Sequence, residues 1–464
     1  MSSNDWQLII LALVAIAGLV LLVTRLRLNA FAALLLAALL VGGGAVLLGV
    51  DHRPAGATET RTLTGLDVIK SFQDGMGATL GGIAAIIGFG TMLGKLLAES
   101  GGAEVLARRF NAFFGPQRAV WCIIALALAV GLTTWFAVGL LLLLPILITL
   151  TRETGQPFLR LALPLLSFLS VMHGVMPPHP GPVVAIEALH ANTGLVLLWG
   201  FAIGIPVAAI AGPLFARWAV PRVAVDPPGG SLPGTDALPP GRRLPGFGLT
   251  LFSILLPVLL MVVAAGVELA HLQASALGRS ALFLGSPTIA LLIATLFALW
   301  SLGLHCGHSP ARLLRFTEES VGAIGMTLLV VGGGGGFARV LKDAGVAGSL
   351  GTLANVMHLS PLFYSWFVAA FIRVATGSAT VATTTASGLL VPVVAAHPEV
   401  NVELVVLSIG FGSLFLSHLN DGGFWIVRDC LGLSVGQTLR TWTVCETLIG
   451  LAGLGITLLV SLFV

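Results

Sequence analysis

Uncharged runs long enough to cross a membrane recur along this chain, and they limit its fold more than any other feature. Trp6 to Thr24 holds 19 residues without a charge, and Leu28 to Val50 holds 23. A helix needs about 20 apolar residues to cross the roughly 30 Å of hydrocarbon in a bilayer. Because lipid offers the backbone no hydrogen-bond partners, such runs must be helical. We therefore predict an all-α polytopic membrane protein with about 12 membrane segments.

Composition agrees with this fold class and excludes several others. Asp, Glu, Lys and Arg make up 9% of the 464 residues, against about a quarter in soluble proteins. A net charge of +3 without a concentrated basic face argues against nucleic-acid binding. The four cysteines form no C-x-x-C pair, so neither a disulfide framework nor a thiolate metal site is indicated. The 58 glycines suggest helices that are broken or closely packed.

A segment rich in proline and glycine, residues 220–248, divides the chain, and we predict a flexible linker there. The cluster Arg217, Arg222, Arg242 and Arg243 places it in the cytoplasm by the positive-inside rule. The predicted organisation is N-terminal membrane helices (1–66), a first transport repeat (67–219), the linker (220–248), and a second half (249–464) with a second transport repeat at about 310–435 and a C-terminal helix.

The two halves resemble each other at a nearly constant offset. A shift of 244 residues lays residues 90–103 on 334–347, and shifts of 245 to 247 align two further landmarks. Chance similarity between glycine-rich membrane sequences is the alternative. Secondary transporters are commonly built from two repeats that hold substrate at their interface. The aligned pairs are Lys95 with Arg339, Glu99 with Asp343, Gly101 with Gly345, His173 with His418, and Pro145 with Pro392.

Each repeat contains a run that suits a re-entrant hairpin. Ala119 to Thr151 has 33 residues without a charge, too many for one crossing and too few for two. We predict a tip at 131–139, which includes Thr133 and Thr134, and a second tip at 376–381 within 374–398. Backbone at this depth must be buried in protein or line a wet cavity. A single long tilted helix is the alternative.

An interrupted apolar stretch follows each hairpin. Four prolines after Met176 must break the helix of residues 161–186, free backbone carbonyls near residues 173–181 and restart a helix near Pro182. Glycines play the same part in Ser417 to Trp425. Both breaks would present helix dipole ends and acceptors inside the membrane.

These breaks also carry ionisable residues. A carboxylate such as Asp421 costs roughly 2.5 to 3.5 kcal/mol at the membrane centre unless it is paired, solvated or protonated. We predict a proton or ion site there, although Asp421 could equally cap the helix that follows. The residues His173, His179 and His418 could carry protons, or could only satisfy freed carbonyls.

Arg373 lies just before the second hairpin tip, where it could receive a substrate carboxylate; snorkelling to the interface is the alternative. Hydroxyls at the tip suit a polyhydroxylated ligand, although such hydroxyls often bond their own helix carbonyls. Neither Gly332 to Gly336 nor the pair His305 and His308 supports a nucleotide or metal site, because no G-K-[ST] motif and no acidic ligand accompany them. We predict no metal and no cofactor.

Four dispersed motifs make the sequence similar to a known family. Those motifs, MHGVMPPHPGP (172–182), GSATVA (377–382), SHLNDGGFW (417–425) and GFGTMLGKLLAESGGA (88–103), resemble the gluconate permease family of bacteria. The resemblance implies a proton symporter of the inner membrane that carries gluconate or a related sugar acid. It also implies two inverted repeats with re-entrant hairpins, and a homodimer.

The resemblance also suggests which residues form the site. By motif these are His173, Pro178, His179, Gly377, Ser378, Ala379, Thr380 and Asn420, with Asp421. From the residues themselves we add Thr133, Thr134 and Arg373 as substrate-binding residues, and we predict Asp421, His173 and His418 as the proton-coupling residues. Two of the motifs depart from the family. The first tip reads Trp135-Phe136-Ala137-Val138-Gly139 where members commonly read F-Y-E-V-G, and Gly422 stands where proline is usual.

The absent carboxylate at Ala137 keeps a second function open. An anion exchanger or uncoupled permease for another small hydroxy carboxylate or a hydroxy amino acid is the alternative to proton symport. An enzyme is not expected, because the only nucleophile beside a base is Ser417 next to His418, and these point in different directions on a helix.

Overall fold

The computed structural model describes residues 3–52, 61–225, 243–346, 348–349, 352, 360–419 and 421–464. One short antiparallel strand pair, Asp51–His52 with Arg61–Thr62, interrupts an otherwise helical architecture within these ranges. Eleven helices of the described residues are long and apolar enough to cross a membrane, or twelve if one bent pair counts as a single span. The predicted all-α polytopic fold is confirmed.

The α-helices share no sheet scaffold and pack on one another. They are α1 (Ser3–Thr24), α2 (Ala30–Leu47), α3 (Gly65–Glu99), α4 (Gly102–Phe114), α5 (Ala119–Gly131), α6 (Phe136–Thr154), α7 (Phe158–Val175), α8 (Pro180–Leu189), α9 (Thr193–Ala209), α10 (Phe215–Ala219), α11 (Phe247–Leu269), α12 (Ala276–Gly285), α13 (Pro287–Ala298), α14 (Pro310–Asp343), α15 (Pro361–Thr376), α16 (Ala379–Ala396), α17 (Val402–Leu414), α18 (Gly422–Leu431), α19 (Val435–Thr438) and α20 (Val444–Val460).

The two longest helices, α3 and α14, cross at glycine. A Cβ added at Gly75 would lie 2.5 Å from the carbonyl oxygen of Gly335. The whole run Gly332–Gly336 is helical, and a Cβ at any of its five positions would come within 2.9 Å of a neighbouring atom. The run is therefore a close-packing surface, and it is not an unwound turn.

Both predicted hairpins are present as pairs of helices. The turn 132–135 joins α5 to α6, and Gly377 with Ser378 joins α15 to α16. Gly377 adopts φ +72° at the end of α15, a left-handed conformation that favours glycine. A single long tilted helix across residues 119–151 is therefore excluded. That the hairpins re-enter the membrane from one side stays a prediction.

Both predicted breaks are present between buried helices. The first separates α7 from α8, which begins at Pro180, two residues before the predicted restart. The second separates α17 from α18. Nearly every residue of α7, α8 and α17 is buried. The two broken helices touch at Gly410, where a Cβ would lie 2.8 Å from the carbonyl oxygen of Gly174.

The sequence repeat has a structural counterpart on the long helices. Lys95 pairs with Glu99 at 3.0 Å on α3, and Arg339 pairs with Asp343 at 2.8 Å on α14. These ion pairs occupy aligned positions with the same spacing of four residues. The middle of the linker, residues 226–242, lies outside the described residues. The domain boundaries and the inverted relation of the repeats stay predictions.

Candidate functional site

A cavity of about 310 Å³ lies where the second hairpin meets both broken helices and the first hairpin tip. Three segments of its lining are helix starts: residues 135–137 at α6, 377–380 at α16 and 421–423 at α18. The other lining residues are Ser170, His173, Arg373, Leu414, Ile426, Trp442 and Glu446.

Three helix N-termini meet at the cavity, and two of them are already capped, α18 by the Asp421 carboxylate and α16 by the Ser378 hydroxyl. The first amides of a helix have no partner within that helix, and the helix dipole places about half a positive charge there. Together these make a helix N-terminus a site for carboxylate or phosphate. Here α6, α16 and α18 all begin at the same cavity.

An ion pair between two buried residues forms one wall. The Arg373 Nη2 donates to Asp421 Oδ2 at 2.5 Å, and the two residues are 3% and 7% exposed. Snorkelling of Arg373 to the interface is therefore wrong, because its side chain ends inside the protein. Asp421 also caps α18 by accepting from the Gly423 amide at 2.8 Å, and it accepts from the Ser417 hydroxyl. The capping interpretation of Asp421 is thus correct, together with the ion pair.

The guanidinium of Arg373 retains donors that no group of the described residues uses. Within those residues its Nε and Nη1 are buried without a hydrogen-bond partner, and so is Nδ1 of His173. Both residues line the cavity. Buried donors without a partner are costly, so these atoms are suited to a ligand.

Sequence reasoning missed one acidic residue of the site, Glu446. It is 1% exposed, lies on α20 and lines the same cavity. Ser170 lines the cavity with it, and among the described residues Oε1 has no hydrogen-bond partner. The sequence does mark this residue, because Glu446 is the only charged residue between Thr441 and Val464.

Only part of the hydroxyl cluster faces the cavity. Ser378 and Thr380 line it, and Ser378 caps α16 through the Val381 amide at 3.3 Å. Thr383 and Thr384 instead donate to carbonyls one turn earlier in α16, at 2.9 and 2.7 Å. For these two threonines the alternative of bonding their own helix is correct.

Other predicted residues lie near the hairpin tips but outside the cavity lining. The hydroxyl of Thr134 donates to the Val130 carbonyl at 2.8 Å, and Thr133 contacts the same carbonyl at 3.5 Å. Pro178 lines a separate cavity with Glu187 and His190. Asn420 lies outside the described residues.

At each helix break, one histidine contacts the hairpin of the same half. The Nε2 of His179 lies 2.7 Å from the Gly131 carbonyl oxygen at the first hairpin, and Nε2 of His418 lies 3.1 Å from that of Val374 at the second. Both contacts match the expectation that a histidine satisfies a carbonyl. His173, aligned with His418 by sequence, instead faces the cavity.

Comparison with known proteins gives relatives along nearly the whole chain. The GntP family permease model matches residues 6–463. A gluconate permease of Zymomonas mobilis is 42% identical over 98% of both chains. The Gnt-II system L-idonate transporter of Escherichia coli K12 is 39% identical over 96% of this chain and 97% of its own.

A solved structure shares the fold at low sequence identity. The YdaH transporter of Alcanivorax borkumensis superposes with a TM-score of 0.63 at 17% identity, over 93% of this chain and 98% of that one. With 11 to 12 apolar helices, the chain is a multi-pass protein of the bacterial inner membrane. Because the family model and the full-length relatives agree, the chain belongs to the GntP family of permeases.

Proposed function

We propose that this protein is a secondary active transporter that imports gluconate or a related sugar acid with a proton, by alternating access. The observation that carries the proposal is that Arg373, with two donors unpartnered among the described residues, lines a cavity at three helix N-termini. Two relatives named for gluconate and L-idonate support the substrate class.

The cavity has a donor set suited to a carboxylate. Arg373 is already neutralised by Asp421, so the positive potential that attracts a substrate comes largely from the helix starts. The free Nε and Nη1 of Arg373 lie on opposite sides of the guanidinium, so each can donate one charge-assisted hydrogen bond to a ligand. Ser378, Thr380 and His173 can then bond the hydroxyl chain.

The cavity size agrees with a small ligand. About 310 Å³ is at the lower end of small-molecule sites, roughly 300 to 1,000 Å³. Sites of transporters built from repeats lie where unwound backbone meets half-helices. Movement of the α15–α16 hairpin relative to the first half would expose such a site alternately to the two sides.

Binding tests the role of Arg373 directly. We expect gluconate to raise the melting temperature of the purified protein, since a ligand that binds only the folded state stabilises it. Arg373→Gln should abolish that rise. Arg373→Lys should weaken binding about tenfold or more, because one ammonium cannot replace both the Asp421 contact and the two free guanidinium donors. Arg108→Gln is a matched control on the exposed face of α4.

The same assay defines the substrate. Sugar acids, glycerate and serine would be compared at equal concentration, and the largest shift identifies the preferred class. Stabilisation of Arg373→Gln by gluconate equal to that of the unmodified protein would contradict the proposed site.

Coupling is tested by transport. In proteoliposomes a proton symporter accumulates gluconate when the exterior is acidic, whereas an exchanger or uncoupled permease only equilibrates it. Ala137 lines the cavity where the family resemblance places a carboxylate, which is why that alternative is kept. The coupling groups predicted from the sequence, Asp421, His173 and His418, are tested in the same assay by neutral substitution.

A further inference from the structure

We infer that Glu446 is the residue that binds the coupled proton, and that its protonation and substrate binding at Arg373 depend on each other. The inference rests on the proposed proton-coupled function. It assigns to the last long helix a role that no sequence motif suggested.

The first step is the difference between the two acidic side chains of the cavity. Asp421 accepts from Arg373, from the Ser417 hydroxyl and from the Gly423 amide. Glu446 has no counter-ion within ion-pair distance among the described residues, and its Oε1 has no hydrogen-bond partner there. A buried carboxylate needs several donors or a counter-ion to stay charged. Asp421 has them, so it is suited to anchor Arg373 as an anion.

The second step is the surroundings of Glu446. Arg373 of α15 and Asp421 before α18 both interact with it electrostatically, and His173 of α7 lines the same cavity. On α17 the only ionisable side chain is Glu403. It lies in the first turn, whereas the cavity-lining Leu414 ends the helix, and it accepts from the Asn192 amide. The neighbouring helix α9 has no ionisable side chain.

The third step is the competition between charges within one small cavity. An ionised Glu446 is a second anion beside Arg373 and repels an incoming carboxylate. A protonated Glu446 removes that repulsion and offers an O–H donor to the substrate. Because coupling between two ligands is reciprocal, substrate at Arg373 must favour the proton on Glu446 to the same extent.

The transport step needs only a proton transfer. Glu446 takes the proton from water on one side and returns it to water on the other after the substrate leaves, and no other bond forms or breaks. A sugar-acid anion and one proton together carry no net charge. A gradient of one pH unit can then sustain about a tenfold gradient of substrate.

The experiment uses full-length protein in proteoliposomes with gluconate as the probe and a pH dye inside. Glu446→Gln imitates the protonated state, so we expect exchange of labelled for unlabelled gluconate to persist. Accumulation driven by external acid should fall to an inside-to-outside ratio of one, and gluconate-driven proton entry should disappear. Glu403→Gln, a buried glutamate outside the cavity, should keep all three activities.

The outcomes separate this inference from the proposed function. If the unmodified protein neither accumulates gluconate under acid nor admits protons, proton symport itself is wrong. If it does both and Glu446→Gln does both equally, only the assignment of Glu446 is wrong. Loss of coupling in Asp421→Asn with retained coupling in Glu446→Gln would move the role to Asp421.

Two further variants keep the inference testable if Glu446→Gln alone does not fold. Glu446→Asp keeps a titratable group at a new position, so the pH dependence of gluconate binding should shift; an unchanged profile would contradict the inference. In Ala137→Glu with Glu446→Gln the carboxylate is restored from another wall of the same cavity, and we expect acid-driven accumulation to return.

Discussion

Arg373 and Asp421 depend on each other for burial. Each is a charge inside the protein, and each has the other as its counter-ion at 2.5 Å. Removing one partner of a buried ion pair leaves the other uncompensated, whereas replacing both with neutral groups is often tolerated. The pair is therefore expected to behave as a unit when it is mutated.

A double-mutant cycle tests this dependence. Arg373→Gln and Asp421→Asn should each lower the free energy of unfolding by about 3 to 5 kcal/mol. The double variant should lower it by less than the sum of the two single changes. The measurement is the apparent melting temperature in detergent without substrate. Strictly additive losses would show that the two side chains do not interact in solution.

Sequence alone located these two residues but could not pair them. A charge inside an otherwise apolar run is visible in the sequence because of its cost in lipid, so Arg373 and Asp421 were both singled out. Their contact spans 48 positions and depends on how the hairpin and the break pack. Glu446 was missed although it carries the same signal, because its segment contains no proline and no polar break, and its helix continues through Gly450, Gly453 and Gly455.

Among the elements, the crossing of α3 and α14 is set by backbone contact. Gly75 and Gly335 leave no room for a methyl group, since a Cβ at Gly75 would lie 2.5 Å from a carbonyl oxygen. Two residues further along α3, a Cβ at Gly77 would meet nothing within 4 Å. The same helix thus offers a position that is packed and one that is open.

This contrast predicts opposite effects of the same substitution. Gly75→Ala should destabilise the protein by about 1 to 3 kcal/mol through overpacking. Gly77→Ala should be neutral or stabilising by up to about 1 kcal/mol, because alanine is the better helix former. Melting temperatures of the two variants in the same detergent provide the comparison, and a stable Gly75→Ala protein would contradict the described crossing.

Hairpins and breaks were predictable because prolines and glycines mark them. The restart of α8 was placed within two residues, and both hairpin turns fall inside the predicted tips. The contacts of His179 and His418 with hairpin carbonyls were not predictable beyond a general role, since they join segments more than 40 residues apart.

At the scale of the whole molecule, the cavity must become accessible to water during transport. Thr380 lines it, whereas Ser360 is exposed at the start of α15. In a background where Cys430, the half-buried native cysteine, is replaced by serine, Thr380→Cys should react with a small hydrophilic thiol reagent. Gluconate at about 100 times its Kd should slow that reaction about a hundredfold.

Ser360→Cys serves as the control for this labelling. It lies outside the cavity lining, so its reaction rate should not respond to gluconate. Labelling of Thr380→Cys that proceeds at one rate with and without gluconate would contradict a substrate site at the start of α16.

The predicted homodimer also belongs to this scale. The described chain exposes many large apolar side chains on its outer helices, as lipid contact requires. Native mass spectrometry in a mild detergent would give the mass of two chains if the prediction holds.

The three helix starts around the cavity have a consequence for how substrate choice can evolve. Their attraction for anions comes from the peptide backbone, which no point mutation can remove without breaking the fold. Side chains on the cavity wall, such as Ala137, Ser378 and Thr380, can change freely by comparison. New members of such a lineage should therefore exchange one carboxylate-bearing substrate for another more readily than they lose the carboxylate itself.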